Sequence, residues 1–152
     1  MHFKNLLTGE TIQKAISNSS GSVAWANDNR TVFYTSKNDV TLLSEKIWRH
    51  KLGSDSKSDK MVYHEKDDTF YNGVYRSKSG DYIIIYNQST LVSDFHILNA
   101  NNPDGDFMNF SPREKEHEYS IDHYQDKFYI ISNWDAKNNR LMETCLLYTS
   151  DA

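Results

Sequence analysis

The sequence predicts an all-β fold, and three observations lead to this prediction. No window of a dozen residues keeps apolar side chains at helical spacing, and the best helical candidate, residues 11–17, is too short. Short runs of β-branched and aromatic residues recur instead, separated by clusters of Asn, Asp, Gly and Ser. Aromatic residues make up 13% of the chain, which argues against disorder despite a mean hydropathy of −0.75.

The first predicted unit has four strands, at residues 23–26, 31–35, 46–52 and 61–64. A polar turn at 27–30 joins the first two strands, and a polar loop at 53–60 precedes the fourth. Successive side chains of the third strand point to opposite faces of the sheet. Ile47 and Arg49 are therefore predicted on one face and Trp48 and His50 on the other.

The second predicted unit has strands at 73–76, 82–86, 94–98 and 107–110. The strand around Ile84 is the most apolar run in the chain, and a continuous apolar strand is normally covered on both faces. The third unit begins with strands at 119–123 and 127–132, and its third strand begins at Arg140. Each unit therefore repeats one order of strand, polar turn, apolar strand and amphipathic strand.

The spacing of these units predicts a partial β-propeller of about three four-stranded antiparallel blades. The apolar returning strands are centred on Phe33, Ile84 and Tyr129, roughly 50 and 45 residues apart. A propeller blade is a four-stranded sheet of about this length. A β-sandwich of about ten strands is also compatible with the strand count, but the even spacing favours the propeller, with Phe33, Ile84 and Tyr129 on inner strands.

Composition gives no support to several classes of partner. The net charge is −4, so the chain has no excess of basic residues for nucleic acid or an anionic membrane surface. No stretch of about 18 apolar residues exists to span a membrane. The single cysteine cannot form an internal disulfide, and the N-terminal residues include no apolar signal region. We therefore expect a cytoplasmic protein, with a periplasmic location also open.

No catalytic, cofactor-binding or metal-binding residue is predicted, and no cofactor is expected. The chain has no G-x-S-x-G, P-loop or dinucleotide motif. His117 and His123 lie near acidic residues in the sequence, but their spacing fits no standard metal site; the neighbouring acids are Glu116, Glu118 and Asp122.

Three further patterns have plain structural interpretations. Residues 101–106 resemble an oxygen-rich calcium loop, but Pro112 stands where an EF-hand needs Glu, so we predict a hairpin turn. Cys145 has no base nearby in the sequence, which makes a nucleophilic role improbable. The acids Glu114, Glu116 and Glu118, which alternate with Lys115 and His117, are predicted to form a solvated edge rather than a cation-binding rim.

Several segments resemble the N-terminal propeller of oligopeptidase B, a serine peptidase of the prolyl oligopeptidase family. The resemblance extends over nearly all of residues 3–144, in the right order and at the right spacing. Its most specific pieces are RHKLG at 49–53, KDDTF at 66–70, PR at 112–113 with HEY at 117–119, and NWDAKN at 133–138.

This resemblance implies a seven-bladed propeller over an α/β-hydrolase domain that carries a Ser-Asp-His triad. The intact family member cleaves short peptides after Arg or Lys, and the propeller restricts access to the active site. None of the triad positions lies in this chain, so we expect this fragment to be inactive, with short peptides and the missing hydrolase domain as its partners. A stand-alone propeller-type or sandwich binding module is the alternative.

The two ends of the sequence lead to a further expectation. Residues 1–144 are assigned to the partial propeller, which would begin mid-propeller. Residues 145–152 fit neither the family nor the blade pattern, and 145–150 are the residues that a transposon end used in sequencing-library preparation would encode. We expect a non-native tail, the alternative being an apolar strand with a frayed end. The first and last sheets are expected to leave one apolar face uncovered, which promotes association.

Overall fold

A computed structural model describes residues 1–12 and 15–145. This part of the chain forms strands joined by turns, with one short 3-10 turn at Ser56–Ser58. The strands are β1 Ser19–Trp25, β2 Thr31–Lys37, β3 Ser44–Lys51, β4 Lys60–His64, β5 Tyr71–Arg76, β6 Tyr82–Gln88, β7 Ser93–Asn99, β8 Met108–Asn109, β9 Tyr119–Tyr124, β10 Lys127–Ser132 and β11 Arg140–Thr144. No helix in the described ranges is long and apolar enough to cross a membrane.

The strands form three consecutive antiparallel meanders. The first sheet has the order β1-β2-β3-β4, the second β5-β6-β7-β8, and the third β9-β10-β11. The predicted all-β fold of about three blades is confirmed, and three sheets stacked in chain order are not a two-layered sandwich. The third sheet has three strands within the described residues, and most of the expected non-native tail, residues 146–152, lies outside them.

The middle sheet is covered on both faces, as its apolar strand β6 predicts. Ile83 and Ile85 pack with Phe33 and Ile47 of the first sheet. Ile84, which points to the opposite face, packs with Phe128 of the third sheet. All three isoleucines are fully buried. Burying such side chains contributes about 2 kcal/mol each, so the two junctions between sheets form the core.

Phe33, Ile84 and Tyr129 lie on β2, β6 and β10, which are interior strands of their sheets, as predicted. Their burial differs in the third sheet. Phe128 faces the second sheet and is fully buried, whereas Tyr129 points away and is only half-buried. The inner strand of this unit is confirmed, and its fully buried residue is Phe128, the neighbour of the residue on which the strand was centred.

The expectation that the first sheet leaves one apolar face uncovered is only partly right, because the N-terminal segment packs on this face. Phe3 and Ile16 of the N-terminal segment pack on Val32 and Tyr34 of β2 and are buried. Residues 3–12 turn back on themselves through an antiparallel bridge between Lys4 and Thr11 and a 3.0 Å hydrogen bond from Ile12 N to Phe3 O. Phe3 and Ile16 therefore cover the centre of this face, while Val23 and Trp25 on β1 stay 37% and 36% exposed.

Candidate functional site

The two histidines considered for a metal site lie at opposite ends of β9. His117 precedes the strand, and its Nε2 is 2.9 Å from Ser132 Oγ. His123 lies near the other end, with Nδ1 2.7 Å from Ser79 Oγ and 3.7 Å from Asp81 Oδ2. Within the described ranges, no three His, Cys, Asp or Glu side chains are grouped to hold a metal ion.

Neither histidine forms a catalytic triad. A triad needs a nucleophile on one ring nitrogen and a carboxylate on the other. Ser79 and Asp81 both approach Nδ1 of His123, while Nδ1 of His117 has no hydrogen-bond partner. Both serine–histidine pairs therefore lack the arrangement that activates a hydroxyl.

The remaining sequence candidates have structural positions. The loop 101–106 joins the paired strands β7 and β8, and Asp104 binds Lys51 of β3 at 3.0 Å. Cys145 follows β11 and is exposed. Three glutamates on the connection before β9 are exposed, as predicted: Glu114, Glu116 and Glu118. Oε1 of Glu116 lies 3.8 Å from Nζ of Lys115.

The most elaborate polar arrangement surrounds Arg113, at the end of the sheets formed by loops 65–70, 89–92, 110–118 and 133–139. Its guanidinium binds Asp94 through Nε and Glu65 Oε2 through Nη2, the latter at 2.6 Å. The guanidinium also stacks on the Phe70 ring, 3.8 Å from its centroid. We call these four residues, with Tyr63, Asn87 and His96, the Arg113 cluster.

The first two blades and the connection to the third sheet contribute to the Arg113 cluster. Tyr63 of β4 donates to Glu65 at 3.1 Å and accepts from Asn87 Nδ2 of β6 at 2.8 Å. Asp94 and His96 lie on β7, with His96 Nε2 3.5 Å from Asp94 Oδ1. Arg113 comes from the connection to the third sheet. The cluster therefore joins the first two blades and fixes the route to the third.

Electrostatics in this cluster favour the charged forms of Asp94 and Arg113 and the neutral form of Tyr63. Burial would raise the Asp94 pKa, but hydrogen bonds from His96, Asn87 and Arg113 and the nearby positive charge outweigh it and lower that pKa. Burial would lower the pKa of Arg113, and the carboxylates of Glu65 and Asp94 instead raise it. Burial and then the neighbouring carboxylates raise the pKa of Tyr63, so its hydroxyl stays neutral.

Two serine hydroxyls provide a second kind of link between blades. Ser22 Oγ lies 2.7 Å from both the N and the O of Val74 on β5. Ser93 Oγ lies 2.7 Å from both the N and the O of Tyr119 on β9. One hydroxyl thus satisfies both main-chain groups on the free edge of the next blade's first strand, where they would otherwise be unpaired.

Sequence reasoning missed the Arg113 cluster because its charged members are distant in the chain. Arg113 follows Glu65 by 48 positions and Asp94 by 19. A signal was present, since residues 66–70 and 112–113 were among the most specific pieces of the family resemblance. Those pieces drew attention to residues of the cluster, but they did not predict that these residues contact one another.

The three antiparallel meanders of this chain pack face to face, and side chains link each meander to the next. This arrangement is that of consecutive blades of a β-propeller. The chain matches the family described as prolyl oligopeptidase, N-terminal β-propeller domain, over residues 1–151. The chain belongs to this family.

Named relatives agree with this assignment. The chain is 39% identical to dipeptidyl aminopeptidase BI of Pseudoxanthomonas mexicana over 91% of its length, and 31% identical to protease 2 of Moraxella lacunata over 93%. Oligopeptidase B from Leishmania major superposes on 93% of the chain with a TM-score of 0.85 and 25% identity. The chain spans 19%, 21% and 20% of these three proteins, respectively.

Proposed function

We propose that this chain belongs to the substrate-gating propeller of a longer, oligopeptidase B-like serine endopeptidase that hydrolyses short peptides after Arg or Lys. The observation that best supports this proposal is the family match over residues 1–151. The hydrogen bonds that link the three blades at their junctions add to it. In this proposal the partners are short peptides and an α/β-hydrolase domain, which supplies the triad that the described residues of this chain do not form.

Gating by size requires blades that do not separate easily. The Arg113 cluster joins the first two blades through Glu65 and Asp94, and Ser93 joins the second blade to the third. A rigid ring of sheets admits a flexible peptide through a narrow opening and excludes a folded protein by its diameter. These links support a propeller domain that keeps its shape when peptides pass through it.

A second candidate activity is the removal of dipeptides from a free amino terminus. The relative named dipeptidyl aminopeptidase BI is 39% identical to this chain, compared with 31% for protease 2. The two activities differ in what binds on the amino-terminal side of the cleaved bond. An aminopeptidase needs a free ammonium group, whereas an endopeptidase accepts a blocked peptide.

The first experiment extends the reading frame in clean genomic sequence on both sides of this chain. A continuation into a hydrolase domain with G-x-S-x-G supports the proposal, whereas a stop codon just after residue 144 favours a stand-alone binding module. The encoded protein is then assayed with an amino-blocked and a free fluorogenic dipeptide, each ending in Arg. Cleavage of the blocked substrate supports the endopeptidase, and cleavage of the free substrate alone supports the second candidate.

Two controls complete this test. Replacement of the G-x-S-x-G serine by Ala should abolish cleavage, while the 152-residue chain alone should cleave neither substrate, because its described residues form no triad. Gating is tested by presenting one Arg-containing segment as a free peptide and within a folded protein. Equal cleavage of the two forms would contradict the gating role.

A further inference from the structure

Three polar side chains are buried in the apolar junction between the first and second sheets. Thr35 lies on β2, two positions after Phe33, and is fully buried. Asn72 of β5 and Asn87 of β6 are cross-strand partners and are 3% and 0% exposed. Phe33 and Ile85 pack together in this junction, and each is two positions from one of these polar residues on the same strand. Because side chains alternate along a strand, all three polar side chains point into the same junction.

Four polar atoms of these side chains have no hydrogen-bond partner among the described residues: Thr35 Oγ1, Asn72 Oδ1, Asn72 Nδ2 and Asn87 Oδ1. The other amide atom of Asn87, Nδ2, donates to the Tyr63 hydroxyl at 2.8 Å and to the Asp94 carboxylate. A carboxylate only accepts, so the orientation of this amide is fixed and its oxygen is the atom left without a partner. Folded proteins pair nearly all of their buried polar atoms with protein groups or internal water.

The unpaired atoms define the chemistry of a ligand that would bind between them. The two asparagine oxygens accept hydrogen bonds, the Asn72 nitrogen donates them, and the Thr35 hydroxyl does either. A cation would pair with the oxygens and leave the amide hydrogens of Asn72 unpaired, and an anion would do the reverse. Only a small neutral molecule that both donates and accepts serves the whole set. Internal water has this property and makes about three hydrogen bonds per molecule.

We propose that Thr35, Asn72 and Asn87 form a binding site for internal water in the junction between the first two blades. About two molecules are sufficient to serve the four atoms and to bond to each other. Through Asn87, this water extends the hydrogen bonds of the Arg113 cluster into the middle of the junction. The site is formed by the first two sheets alone, so the inference depends neither on the third sheet nor on the proposed peptidase activity.

The bound water is counted by magnetic relaxation dispersion of ¹⁷O in solutions of the full chain, which detects water molecules held inside a protein. Asn72→Leu and Thr35→Val should each remove at least about one long-lived water molecule per chain. The matched control is Thr31→Val. Thr31 is also fully buried on β2, but its hydroxyl donates to Asp28 at 2.7 Å, so this variant should leave the count unchanged. Equal counts in the wild type and in both site variants would overturn the inference.

Stability gives a second test, in which the sign of the effect decides. If water binds the Asn72 amide, Asn72→Leu removes hydrogen bonds of the folded protein and lowers the urea midpoint. If the amide is unpaired, the apolar replacement of similar shape removes a buried unpaired group and raises the midpoint, which would overturn the inference. Replacing Na⁺ by choline in the buffer should leave the midpoint of the wild type unchanged. A lower wild-type midpoint in choline that Asn72→Leu abolishes would also overturn the inference, because it would identify a cation in place of water.

Discussion

Arg113 pairs with both buried carboxylates at the junction of the first two blades. It neutralises Asp94 and Glu65, which are 2% and 8% exposed, and its own side chain is 32% exposed. Arg113→Ala should lower the free energy of unfolding by about 2 kcal/mol, less than for a fully buried pair because water reaches the guanidinium. Urea denaturation measures this, with the exposed Lys115→Ala as the control. If both variants lower the free energy of unfolding by the same small amount, the cluster does not stabilise the junction of the blades.

Asp94 gives the same junction a dependence on pH. Its pKa is lowered in the folded protein, so its contribution to stability is present above the unfolded value of about 3.9 and is lost as the pH falls through the folded value. The stability difference between the wild type and Asp94→Asn should therefore be largest near neutral pH and shrink in acid. Urea midpoints measured across this range decide the matter, and a constant difference would contradict the assignment.

Among the elements, the first strand of each blade depends on the preceding blade for its hydrogen bonds. Ser93 is 4% exposed and serves both main-chain groups of Tyr119 on β9. Ser93→Ala should cost about 1–3 kcal/mol, because it leaves a buried N–H and C=O without a partner. The neighbouring Ser120→Ala, at an exposed position of β9, should change stability by less than about 0.5 kcal/mol. Thermal unfolding of both variants tests this, and similar melting temperatures would refute the link.

The strands were predictable because their pattern is local. Alternation placed Ile47 and Trp48 on opposite faces of β3, and the run around Ile84 indicated a strand covered twice. The strand predicted at 107–110 is only Met108–Asn109, because this segment pairs with β7 at just two positions. The Arg113 cluster and the serine links could not be predicted in this way, since each joins residues brought together only when blades stack.

For the whole molecule, the exposed face of the third sheet has the largest consequence. Ile131 is 50% exposed and Leu141 is 70% exposed, and these two residues are cross-strand partners beside the half-buried Tyr129. The equivalent faces of the other junctions are buried against a neighbouring blade. An exposed apolar patch of this kind, flanked on the same face by Ser120, Asp122 and Glu143, promotes association between copies of the chain.

The most direct test of the stacked-blade account is the molar mass of the purified chain by light scattering as a function of concentration. The account predicts self-association that Ile131→Lys or Leu141→Lys reduces. The control Val40→Lys changes a residue that is 90% exposed in a loop and should leave association unchanged. A monodisperse, cooperatively unfolding monomer at all concentrations would contradict the account and indicate a self-contained domain.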